Sequence, residues 1–190
     1  MAQPNRTKHA LLGFLSWGKL SGYDLGQLIA GSISNFWSES HGRIYPILAQ
    51  LAEEGLATRT ETVSEGGRLR HVYSITERGR AAFEAWLHEP VQPRPPRNEL
   101  LLKLFFGART DVTASLDRVE EFRREGLAKL EHYEAIRARL ESAPNPPPDR
   151  AWWLMTLRYG ELDTRAHLAW CEEVLPALRA EQQRKGEGSV

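Results

Sequence analysis

Over the first ninety residues the spacing of hydrophobic positions switches from helical to alternating and back, and the switches mark out the elements. From Thr7 to Trp17, Ala10, Leu11, Phe14 and Leu15 recur at helical spacing, with Gly18 just beyond as a stop. Ser21-Gly22-Tyr23-Asp24 sets a serine three residues ahead of an acid. In that capping-box pattern hydroxyl and carboxylate satisfy backbone N–H groups, and a second helix with Leu25, Leu28 and Ile29 inward follows. Between Ser38 and Gly55 a third helix carries one stripe of Ile44, Ile47, Leu48 and Leu51, with Ser40 as its N-cap. Pro46 removes a backbone hydrogen bond and crowds the carbonyl four residues back, so the regular helix is expected to begin near Arg43 or to bend there. After Gly55 the period is two. Leu56 to Val63 reads as a strand, Glu65-Gly66-Gly67-Arg68 as a hairpin tip, and Val72, Tyr73 and Ile75 as the return strand. Thr76 then caps a fourth helix reaching about His88.

Three helices, a β-hairpin and a helix, from Thr7 to Glu89, follow the order of a winged helix-turn-helix domain. Its third helix fits the major groove of duplex DNA and its hairpin reaches the flanking phosphates or minor groove. Proline runs at 90–96 and 144–148 then punctuate the chain. The expected organisation is a winged domain over 1–90, a proline-rich linker over 91–97, a helical dimerisation and effector domain over 98–185, and a flexible tail over 186–190. The fold class is mainly α with a small β-hairpin.

Beyond the linker, Asp111 to Glu141 places Val112, Leu116, Val119, Phe122, Leu130, Tyr133 and Leu140 on one face. Positions 154, 157, 161, 164, 168, 171, 175 and 178 alternate spacings of three and four and read Leu, Leu, Glu, Thr, Leu, Cys, Leu, Leu. Two helices of about 30 residues offer each other too little surface to bury both stripes, so a second copy of the chain is expected to supply it. Glu161 and Thr164 form a polar step in that seam.

Composition narrows the class without carrying it. The 190 residues are 41% hydrophobic and 26% charged, which excludes disordered and collagen-like chains. No apolar run approaches the ~18 residues needed to cross a bilayer, and Met1 to His9 is polar and basic, so a cytoplasmic location without membrane contact is expected. Cys171 is the single cysteine, which leaves no disulfide framework. No phosphate loop, nucleophile elbow or zinc-protease motif occurs, so neither an enzyme nor a cofactor or metal is expected. Net charge is zero, with 25 basic and 25 acidic residues, and attraction for phosphate must come from placement. Arg68, Arg70, His71, Arg78 and Arg80 cluster against the single acid Glu77.

The helical wheel selects the contact residues. With Ile44, Ile47, Leu48 and Leu51 inward, Ser40, His41, Arg43, Tyr45 and Gln50 face out. Arg43 is the base-reading candidate, because a guanidinium bonds guanine O6 and N7 together; Tyr45 suits phosphate or sugar. Arg68 and Arg70 at the wing, and Lys8 ahead of the first helix, complete the expected DNA-binding set. Tyr23 is expected to do no more than pack the second helix. Trp152, Trp153 and Trp170 lie in one C-terminal helix with Arg158 and His167, which could orient a carboxylate; these five form the candidate effector site for a flat organic ligand.

Three segments together resemble the PadR family of transcriptional regulators: Ser21-Gly22-Tyr23-Asp24-Leu25, the run Gly42-Arg43-Ile44-Tyr45-Pro46-Ile47-Leu48 leading to Leu51-Ala52-Glu53-Glu54-Gly55-Leu56, and Val72-Tyr73-Ser74-Ile75-Thr76-Glu77-Arg78-Gly79. Trp153 to Gly160 and Leu168 to Glu173 resemble the helical tail of longer PadR-like proteins related to virulence activators. The resemblance implies a homodimer on a near-palindromic double-stranded operator, usually a repressor released by a small, often aromatic, effector. Two other readings stay open at this stage: a winged-helix protein-interaction module, and a ligand-sensing dimer with weak DNA contact.

Overall fold

The computed structural model describes residues 6–34, 36–37, 40–63, 67, 69–92 and 97–187, and the chain divides into two compact units, 1–93 and 94–190.

In the first unit, α1 (Arg6–Leu15), α2 (Gly22–Ser32) and α3 (His41–Glu53) close over a core of Leu11, Leu12, Leu15, Leu25, Ile29, Ile44, Leu48 and Leu51. The predicted capping box forms: Ser21 Oγ accepts from the Asp24 N–H at 3.2 Å, and Asp24 Oδ2 accepts from the Ser21 N–H at 2.9 Å. The third helix begins at His41, two residues ahead of Arg43 and directly after the expected Ser40 N-cap. The Arg43 N–H closes a tight first turn on the Ser40 carbonyl at 2.9 Å, and Pro46, which has no N–H to offer the Gly42 carbonyl, lies inside the helix. Ser40 has N-cap backbone geometry but makes no side-chain capping bond.

The predicted hairpin is part of a larger sheet. β2 (Ala57–Val63) pairs antiparallel with β3 (Leu69–Ile75), from Ala57↔Ile75 to Val63↔Leu69, and β1 (Leu20–Ser21) adds a third antiparallel strand on the far side of β3 through Leu20↔Tyr73. Of the predicted tip, Glu65, Gly66 and Arg68 lie outside the described residues. Thr76 ends the sheet and caps α4 (Glu77–Leu87). Its Oγ accepts from the Gly79 N–H at 3.0 Å and its hydroxyl donates to the Gly55 carbonyl at 2.8 Å, tying the wing's end to the turn after α3. Gly55 has φ +67°, a conformation that favours glycine.

In the second unit, α5 (Glu99–Phe105) starts at an Asn98 cap and leads through a 3-10 turn at Gly107–Arg109 to α6 (Val112–Ser142), which Asp111 caps. α7 (Arg150–Glu187) runs back antiparallel and continues into the segment expected to be tail. The long seam of α7 is filled from within the chain, which corrects the expectation that a second copy fills it. Leu157, Glu161, Thr164, Cys171 and Leu175 are all buried, as are Val112, Leu116, Val119 and Tyr133 of α6. Helices of 31 and 38 residues in one antiparallel register do cover each other's stripes. Arg179–Glu120, Arg123–Glu172, Arg165–Glu134 and Arg137–Glu161 ion pairs cross between them along that register.

Candidate nucleic-acid interface

Burial fixes which face of α3 is outward. Ile44, Ile47, Leu48 and Leu51 are at most 7% exposed, while Ser40, Gly42, Arg43, Tyr45 and Gln50 face solvent. His41 opens the helix. Gln50 is turned back to Glu54, its amide donating to the carboxylate at 2.7 Å; among the described side chains, Arg43 and Tyr45 are exposed in the helix's first half, with Ser40 exposed at its cap.

Tyr45 is placed by a contact the sequence does not announce. Its ring lies so close over Gly22, the first residue of α2, that a Cβ there would stand 2.5 Å from Tyr45 Cε1. Gly22 and Tyr45 belong to two of the motif segments, so those segments meet in space. The wing supplies a cation and an imidazole beside Tyr45: Arg70 Nη1 stands 3.7 Å from Asp24 Oδ2, and His71 Nδ1 stands 3.8 Å from Glu61 Oε1. The Asp24 carboxyl sits below its ordinary range, chiefly because it accepts the Ser21 backbone N–H and secondarily through the Ser21 hydroxyl and Arg70, so it is ionised beside the arginine.

Lys8 does not join this surface. Its ammonium is paired with Glu54 at the opposite end of α3 from Arg43, a clamp between α1 and α3. Arg68 lies outside the described residues, and Arg70 stands at the wing as expected. Tyr23, expected to do no more than pack the second helix, is instead 62% exposed and is not among the core residues. Its place two residues after the Ser21 cap and two before Leu25, where the inward stripe begins, was the available signal.

The five residues proposed for an effector do not converge within the chain. Trp152 and Trp170 are 170 − 152 = 18 residues apart on one continuous helix, roughly 27 Å along its axis. Trp170 packs edge-on against Phe122 at 6.1 Å, with His167 beside the same ring at 5.4 Å, so both are structural partners of α6. Arg158 is directed to Glu161 at 3.2 Å. Trp152, 67% exposed, heads a second stripe on α7 with Met155, Tyr159 and Leu162, all exposed and on the side away from the seam. Among the described residues no helix is long and apolar enough to cross a membrane.

With this geometry in place, known proteins can be set beside it. Residues 11–85 match the family described as transcriptional regulator PadR-like, and residues 96–179 match the virulence activator alpha C-terminal family. The chain is 29% identical to the negative transcriptional regulator PadR of Bacillus subtilis, over 90% of this chain and 96% of that one. It is 30% identical to a probable transcriptional regulator of Mycobacterium tuberculosis at the same coverages. The crystal structure of the Bacillus protein in complex with operator DNA superposes with a TM-score of 0.78 at 28% identity, covering 92% of this chain and 99% of that one. Its complex with p-coumaric acid gives 0.70 at 27%, covering 94% and 99%. The Vibrio cholerae virulence activator AphA gives 0.73 at 30%, covering 92% and 98%.

Proposed function

The chain belongs to the PadR-like family of transcriptional regulators, and from that premise we propose that it acts as a homodimeric repressor on a near-palindromic operator and is released by a small aromatic effector. The observation that carries the reading is the exposed first half of α3, where Ser40, Arg43 and Tyr45 point out beside the wing while the opposite face is core. A helix so presented fits the major groove, and an arginine near its start can bond a guanine edge bidentately.

Dimerisation is drawn from the outer stripe of α7 and the exposed Leu101, Leu102, Phe105 and Phe106 around α5. These apolar groups have no cover within their own unit, and contiguous apolar patches of this kind mark association sites. The long seam plays no part, because α6 already fills it. An aromatic acid as effector is supported by the p-coumaric acid complex of the Bacillus relative. A protein-interaction module would also fit zero net charge, but the likeness to an operator complex over 92% of the chain favours DNA.

The test is binding of the purified protein to duplex DNA from around its own coding sequence. Affinity should fall steeply between about 50 and 200 mM salt. Footprints should show two half-sites about one helical turn, or a multiple, apart. Binding that is absent, or indifferent to salt, would sink the reading.

A further inference from the structure

Tyr23 is an exposed aromatic in a motif segment whose other members are accounted for: Ser21 and Asp24 cap α2, Gly22 makes room for the Tyr45 ring, and Leu25 is core. It stands on the rim of an open groove of about 470 Å³ between the start of α2, the middle of α3 and β3. Tyr23, Tyr45, Arg70, His71 and Tyr73 line the groove with Gly22. Tyr23 and Tyr45 are 62% and 52% exposed, so their phenol groups border solvent, while Tyr73 is buried against the core.

The chemistry of this groove is that of an anion seat. A guanidinium and two accessible phenol hydroxyls offer donors, and the rings offer flat apolar faces. The one carboxylate next to Arg70 is already engaged: Asp24 Oδ2 accepts from the Ser21 N–H at 2.9 Å and the Ser21 hydroxyl at 2.8 Å. Arg70, at 3.7 Å from that oxygen, is therefore held by charge and not by a hydrogen bond. Its side chain is half exposed, so leaving this ion pair costs little, and a charge-assisted bond to a phosphate oxygen more than replaces it. A small organic acid needs a concave site that covers most of its surface, whereas a groove open along the wing suits one point on an extended polyanion.

We propose that this groove seats one backbone phosphate of duplex DNA, with the Tyr23 and Tyr45 hydroxyls and Arg70 as donors, Gly22 as the floor that sets the Tyr45 ring, and Asp24 as the charge that parks Arg70 before DNA arrives. The inference rests on the DNA-binding reading above and assigns a division of labour within it: Arg43 reads bases, and the groove fixes register without reading sequence.

The experiment titrates labelled operator duplex and a scrambled duplex of equal length from about 50 to 200 mM salt, using the full-length protein. Arg70→Ala should weaken both duplexes by a similar factor of about ten and lower the salt slope by about one, while Arg70→Lys retains the slope. Tyr23→Phe and Tyr45→Phe, which keep the rings, should each weaken both duplexes several-fold with operator preference unchanged. Asp24→Asn, which keeps an acceptor for the cap, should tighten both. If Arg70→Ala leaves the salt slope at the wild-type value, or if the two phenylalanine variants lose only operator preference, the phosphate seat is refuted while DNA binding stands. Wild-type protein that binds neither duplex refutes both readings.

Discussion

Arg137 grips Glu161 through two guanidinium nitrogens, Nε to Oε1 and Nη2 to Oε2, each at 2.8 Å, across the α6–α7 seam toward the end where the two helices are joined. The glutamate side chain is 3% exposed, and Arg158 adds a second cation at 3.2 Å. A buried carboxylate is tolerable there only because it is paired, since removing one partner strands a desolvated charge, whereas replacing the pair with apolar groups is often neutral. Arg137→Ala should therefore cost about 1–3 kcal/mol in urea unfolding, moderated by Arg158, and Arg137→Leu with Glu161→Leu should cost less than the single change. The arginine bond, opposed by burial, holds the Glu161 carboxyl below its ordinary range. A depressed acid stabilises the fold above its unfolded value, and that contribution disappears as pH falls through the folded one. Arg137→Ala should flatten this acid limb of the stability curve. An equally steep limb would assign it to other carboxylates.

Gly79 has the tightest Cβ clearance among the described glycines. A Cβ there would stand 2.0 Å from the Leu56 carbonyl oxygen, which also accepts the Thr76 N–H at 3.1 Å. The clash is with backbone, and relieving it means separating α4 from the strand start that Thr76 holds. Gly79→Ala should cost about 4 kcal/mol or more, a size reserved for strain or broken cores. Gly31→Ala, where a Cβ meets nothing within 4 Å, is the control and should be neutral or stabilising. Comparable melting temperatures for the two variants would contradict the steric account.

What the sequence made legible was local. Ser21 and Asp24 are three residues apart, and their capping box could be read before any tertiary contact was known. The inward stripe of α3 followed from period alone. β1 was not legible, because two residues carry no alternation and its pairing with Tyr73 spans more than fifty positions. α5 was missed because Leu100-Leu101-Leu102 and Leu104-Phe105-Phe106 form an apolar run without a period. The seam of α7 was read correctly as a seam and assigned to the wrong partner: a stripe of threes and fours fits a helix of the same chain or of another. Burial of the seam against α6 and ion pairs such as Arg137–Glu161, 24 positions apart, settle which. Lys8 looked like a phosphate contact because Glu54, 46 positions away, is invisible to a linear reading.

Acid should weaken the winged domain in a higher pH window than the helical one. His9 stacks on Trp86, centroids 4.8 Å apart and planes within 4°, with its Nδ1 buried and without a hydrogen-bond partner. Burial, with a smaller push from Lys8 and an opposing pull from Glu89, lowers its pKa below the ordinary 6.5, so the folded state holds the ring neutral. With the folded value depressed, the unfolded chain binds the proton first. Stability is full above about pH 6.5 and declines as pH falls toward the folded value. His9→Phe keeps a stacking ring and should remove that decline. If urea midpoints of wild type and variant fall in parallel from pH 7 to pH 5, His9 is not the group responsible.

The outer stripe of α7 offers the cleanest separation of assembly from folding. Trp152, Met155, Tyr159 and Leu162 recur at spacings of three, four and three on the side opposite the seam, and all are more than half exposed. Helix formation and the α6–α7 core do not depend on them, so charges placed there should leave each chain folded. Met155→Glu combined with Tyr159→Glu should convert a dimer to monomer in sedimentation, with helical circular dichroism unchanged. Operator affinity should drop at least a hundredfold, because the linked half-sites no longer bind as one unit. Cys171→Ser, in the buried seam, should do the reverse, lowering the melting temperature while the intact protein remains dimeric. A double variant that stays dimeric would move the interface to α5, where Leu102 and Phe105 supply the equivalent substitutions.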